Sequence, residues 1–65
     1  MSHFYFIEEE TGEEFIVGAY NLADAFVIAK DVERDIASYY GCETKLSFEY
    51  IMTDDEAEAS GLDEY

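Results

Sequence analysis

His3 and Cys42 are the only histidine and the only cysteine in this sequence, so any base or thiol chemistry at neutral pH has to involve one of them. His3 opens the run His3-Phe4-Tyr5-Phe6-Ile7, near the start of an edge-like strand. No serine, cysteine or carboxylate is spaced to stand beside its imidazole, so it reads as an exposed side chain rather than a general base. Cys42 follows the predicted end of a helix, where the negative end of the dipole disfavours a thiolate. Carboxylates are abundant, but acid–base work by a carboxyl pair needs a cleft that desolvates one of them. A chain of 65 residues has little interior from which to build such a cleft. The run Asp54-Asp55-Glu56-Ala57-Glu58 has the composition of a calcium loop, yet it lacks the glycine at the sixth position and the glutamate at the twelfth. One histidine and one cysteine are too few for a structural zinc site. The expectation is a protein that is not an enzyme and carries no metal or cofactor.

What remains is charge. Seventeen acidic residues against three basic ones give a formal net charge of −14. Self-repulsion of that order works against a compact state and keeps a protein dissolved. It also argues against direct contact with nucleic acid or an anionic membrane, both of which are bound through Lys and Arg. The acid falls into three groups. Glu8, Glu9, Glu10, Glu13 and Glu14 surround a predicted hairpin loop, Asp24, Asp31 and Asp35 lie along a predicted helix, and Asp54, Asp55, Glu56 and Glu58 form the third group. The helical steps of seven and four residues correspond to roughly 10 and 6 Å along the axis. DNA carries a charge every ~3.4 Å along one strand, so such rows can imitate a phosphate backbone. The matching partner is a protein surface of Lys and Arg, bound through charge-assisted hydrogen bonds and steered by the field. Aromatic residues supply hot spots in such interfaces, and Tyr20, Tyr40 and Tyr65 are the candidates because they fall off the core stripe or at element ends.

The elements that position these groups follow from periodicity. The aromatic and β-branched run at the N-terminus predicts a strand. Gly12 supplies the positive φ of a loop, and Phe15-Ile16-Val17 returns as an antiparallel strand. Asn21 is an N-cap, with Asp24 placed to reach back to its backbone, and Gly41 is a left-handed C-terminal stop, so a helix is predicted from about Leu22 to Tyr40. Leu22, Ala25, Ala29, Val32, Ile36 and Tyr39 form its apolar stripe. In the segment 44–52, Leu46, Phe48, Tyr50 and Met52 alternate with Lys45, Ser47 and Glu49, which predicts a strand with one buried face. The reading is an α+β fold of β-β-α-β order, a three-stranded antiparallel sheet in the order two-one-three with one helix on one face. It is divided into a domain over residues 1–53 and an acidic tail over 54–65. Thr53 and Glu56 make a second capping-box pattern, and the tail is expected to form a short helix that frays or orders on a partner. No stretch approaches the ~20 apolar residues of a membrane span and no leader pattern precedes the domain. A single free cysteine suits a reducing compartment, which together point to the cytoplasm.

In its size, its clustered acid, its aromatic content and its lack of cysteine pairs, the chain resembles the small acidic inhibitors that phages direct at host nucleic-acid enzymes, among them the DNA-mimicking anti-CRISPR proteins. The resemblance is one of character along the whole chain and includes no diagnostic motif. It implies an inhibitor that occupies the basic nucleic-acid-binding surface of a CRISPR-Cas effector nuclease and blocks DNA binding or cleavage, in the cytoplasm of an infected bacterium. The β-β-α-β layout is also similar to a small phage inhibitor of bacterial RNA polymerase. Two other readings stay open: an acidic antitoxin neutralising one basic protein, and a homodimerisation domain.

Overall fold

Alternation along the first two strands decides which side of the sheet becomes the core. In the computed structural model, which describes residues 1–65, Ser2–Glu8 (β1) and Glu14–Ala19 (β2) pair antiparallel with Phe4 opposite Val17 and Phe6 opposite Phe15. These four side chains are buried on one face. Leu22–Tyr40 (α1) lies against that face through Ala25, Ala29 and Val32, with Ile28 and Ile36 partly buried beside them. Small side chains at positions 25 and 29 let the helix approach the sheet closely, and the phenylalanines fill the remaining space. Phe6, Ile16 and Val17 are fully buried, each contributing about 1.5–3 kcal/mol of transfer free energy. Leu46–Met52 (β3) pairs antiparallel on the other side of β1, so the sheet order is β2-β1-β3. This is the expected β-β-α-β layout in an α+β fold. His3 accordingly starts the central strand and not an edge.

Three details depart from the sequence reading. β3 does not present one continuous apolar face. Its register against β1 shifts between Tyr5 and Phe6, which leaves Glu49 as an extra residue. A bulge of this kind reverses the alternation. Phe48 pairs with Phe6 and faces α1 with Leu46, while Tyr50 pairs with Tyr5 and Met52 with His3 on the opposite face. The stripe of α1 is shorter than expected, since Leu22 is 38 % and Tyr39 83 % exposed. Finally, Asn21 accepts from the Asp24 amide at 2.8 Å, but Asp24 answers through the Asn21 side-chain amide at 3.4 Å and not through its backbone.

The segment 54–65 is folded onto the sheet. Asp54–Ser60 is a second helix (α2) opened by a complete capping box, with the Glu56 amide donating to Thr53 Oγ1 at 3.1 Å and the Thr53 amide to Glu56 Oε1 at 3.0 Å. Gly61, at φ 70°, stops it in the left-handed region. The chain then runs along the open side of β2, where the Tyr65 amide donates to the Ile16 carbonyl and the Gly18 amide to the Tyr65 carbonyl, both at 2.9 Å. Residues 54–65 are therefore a structural part of the domain, and Met52 is buried beneath them. No helix is long and apolar enough to cross a membrane.

Candidate functional site

The hairpin tip is built around one carboxylate. Glu8 ends β1 on the core side, is buried, and accepts from the amides of Thr11 at 2.7 Å, Glu10 at 2.9 Å and Lys45 at 3.4 Å. Its own amide donates to the Glu13 carbonyl at 2.8 Å, and its carbonyl accepts from Gly12 at 3.0 Å, where φ is 74°. The Thr11 amide, helped by the Thr11 hydroxyl and the Glu10 and Lys45 amides and opposed by burial, holds the Glu8 carboxyl below its ordinary range. Glu8 thus leaves the set of surface carboxylates: it organises the loop that displays the others. Its position in the alternation was the available signal, since Phe4, Phe6 and Glu8 fall on one face.

Glu9, Glu10, Glu13 and Glu14 are exposed around that loop. The Glu9 amide donates to the Lys45 carbonyl at 2.9 Å, tying the loop to the α1–β3 connection and bringing Glu43 to the same shallow cleft as Glu9 and Glu10. Lys45 is the one cation there. Glu14 opens β2 near Tyr5, whose phenol is pushed up by burial first and by the Glu14 charge second.

α1 carries its acid unevenly. Asp24, Asp31 and Asp35 are all exposed. Asp31, however, is paired with Arg34 one turn on, and Lys30 lies beside it, so its charge is locally compensated. Asp35 stands on a different flank, in a groove with Glu13 and the tyrosines of the helix end. Asp24 sits at the opposite end of the helix, beside Gly18, Ala19 and Tyr20. The fold therefore gathers Glu9, Glu10, Glu13, Glu43 and Asp35 toward the hairpin end, because α1 runs back along β2 and ends near the loop. It leaves Asp24 at the far end.

The third group is divided. Asp55 and Glu58 are exposed and Glu56 serves its capping box. Asp54 accepts from His3 Nε2 at 2.6 Å, and Glu64 holds His3 Nδ1. Glu64 first and Asp54 second raise the His3 pKa above 6.5, against a lowering by burial. Two carboxylates on one ring require both nitrogens to donate, so the paired form is the imidazolium. The sequence alone leaves His3 exposed and unaccompanied, whereas its side chain is 20 % exposed and clamps the start of α2 and residue 64 to the central strand. Its partners are 51 and 61 residues away, beyond the reach of any local spacing rule.

Of the tyrosines, Tyr20 (81 %), Tyr40 (68 %) and Tyr65 (53 %) are exposed. Tyr40 stacks edge-on with Tyr39 at 4.9 Å between ring centres, and Tyr65 leans on Phe15 at 5.8 Å. Cys42 is exposed just beyond the left-handed cap of α1.

Fold and surface together define a class: a three-stranded α+β domain with a helix on each face of its sheet and an exterior rich in carboxylates and exposed tyrosines. Comparison with family models, with curated proteins and with solved structures finds no match to the chain.

Proposed function

We propose that the protein is an inhibitor that docks its acidic hairpin end on the basic nucleic-acid-binding surface of a larger protein, with a CRISPR-Cas effector nuclease as the target, and blocks DNA binding or cleavage by occupying the place of the phosphate backbone. The observation that carries this reading is the hairpin tip. There the buried carboxylate of Glu8 accepts from the loop amides of Glu10 and Thr11, while Glu9, Glu10, Glu13 and Glu14 are exposed. A fixed display of charge binds a Lys- and Arg-lined groove without the ordering cost that a flexible acidic tail would bring. The formal charge of −14 adds long-range steering toward such a surface. In this reading the protein has no catalytic role, needs no cofactor, and acts in the cytoplasm of an infected bacterium.

The antitoxin reading has residues 54–65 fold upon a basic partner. It gains less support, because that segment already has a capping box, a strand-edge pairing and the His3 clamp within its own chain.

Replacing Glu9, Glu10, Glu13 and Glu14 together by Lys tests the proposal. Far-ultraviolet circular dichroism should be unchanged, since all four side chains are exposed, while capture of the guide-loaded nuclease should be lost. Capture retained by the folded quadruple variant would refute the mimic.

A further inference from the structure

We infer that the groove between the end of α1 and the edge of β2 is a receptor for an arginine side chain presented by a basic protein partner. This deepens the proposed function and rests on it for the partner's charge.

The groove encloses about 280 Å³. At ~30 Å³ per water that is room for roughly nine waters, enough for a long side chain. Its floor is apolar: Phe15 is buried and Ile36 half-buried. Its walls are the rings of Tyr39, Tyr40 and Tyr65, all more than half exposed, and its rim carries the carboxylates of Glu13 and Asp35. No Lys or Arg lines it, although two of the chain's three cations, Lys30 and Arg34, are on the same helix. The last turn of α1 contains no basic residue, so the negative end of a 19-residue helix also stands uncompensated beside the groove.

Each of these features selects the same occupant. An apolar floor alone would accept any hydrophobic side chain, but two carboxylates and a helix C-terminus favour a cation. Ammonium and guanidinium are then separated by the rings. A guanidinium is planar, less strongly hydrated, and stacks on an aromatic face while its edge donates to carboxylates in pairs. Three tyrosines flanked by two carboxylates suit that combination, whereas a lysine would gain the charge and little of the stacking. Glu13 belongs both to this groove and to the hairpin acid, so an anchored arginine would sit at the border of the surface that meets the partner's remaining charges.

The experiment is a titration of isotopically labelled protein with nona-arginine and, separately, nona-lysine at physiological salt, read by nuclear magnetic resonance. The peptides have equal charge. Nona-arginine should shift the Tyr39, Tyr40 and Tyr65 ring signals and bind about tenfold more tightly than nona-lysine. Tyr39→Ala with Tyr40→Ala, both at exposed positions, should abolish that preference. Glu9→Gln with Glu10→Gln should weaken both peptides and leave it intact. Equal affinity for the two peptides, or shifts that spare the groove, would overturn the inference. Either result is separable from the function: equal affinities with nuclease capture intact remove the groove alone. Arginine preference without nuclease capture upholds the groove and removes the proposed target.

Discussion

Replacing His3 by Gln removes the one positive charge between Asp54 and Glu64 while keeping a polar side chain of similar reach. The cost follows from how exposed the two contacts are. Asp54 is 91 % exposed, so its pairing belongs with exposed ion pairs worth about 0.2–1 kcal/mol. Glu64 is 35 % exposed and still open to solvent screening, which puts its pairing toward the upper part of the same range. Together they contribute about 1 kcal/mol, and in a domain of this size that corresponds to a Tm lower by about 4–8 °C. The sign of the pH dependence is fixed by the raised pKa of His3. A group whose native pKa lies above its unfolded value adds stability that is fully present below the unfolded pKa of 6.5 and disappears as pH climbs through the native one. Thermal unfolding of wild type and His3→Gln between pH 6 and pH 9 should therefore show the full gap at the acid end and a closing gap at the alkaline end. Hydrogen exchange at the Tyr65 amide should follow the same trend, because residue 65 is held next to the clamp. A gap that stays constant or widens with pH would refute the assignment of His3 as a charged clamp.

Glu8→Ala leaves the amides of Glu10, Thr11 and Lys45 without their acceptor and should lower the Tm at pH 7. Because the native carboxyl pKa of Glu8 is depressed, its contribution is present above the unfolded pKa and lost as pH falls through the native value. The difference from wild type, followed by thermal unfolding, should shrink on acidification. Gly18→Ala places a methyl 3.0 Å from Glu64 Cδ and 3.2 Å from Met1 Cε. Glu64 is held by His3 and cannot retreat without loosening the clamp, so faster exchange at the Tyr65 amide is expected with the β1–β2 pairing unchanged.

The strands, α1 and their order could be read in advance because each rests on local signals: β1 and β2 on aromatic and β-branched runs either side of the Gly12 loop, and α1 on its own start and stop in Asn21 and Gly41. The bulge at Glu49 could not be read this way. The sequence of β3 alternates as though no residue were extra, and only pairing with β1 sends Tyr50 and Met52 to the far face. The same limit hid the folded C-terminal segment. Its capping box was visible in Thr53 and Glu56, but its stability comes from Met52, the β2 edge and His3, all contacts between distant parts of the chain. In the candidate site, the exposure of Glu9, Glu10, Glu13, Glu14, Tyr20 and Tyr40 agrees with their positions in loops and at element ends. The structural use of Glu8 and the pairing of Asp31 with Arg34 depend on where the backbone amides and the neighbouring helix turn fall.

The most direct test of the central claim is capture of a purified, guide-loaded CRISPR-Cas nuclease on the immobilised protein, in low and high salt, with and without target DNA as competitor. An acidic mimic predicts capture at low salt that weakens as salt screens the contacts and is displaced by DNA carrying the target sequence. No capture, or capture indifferent to both salt and DNA, would contradict it.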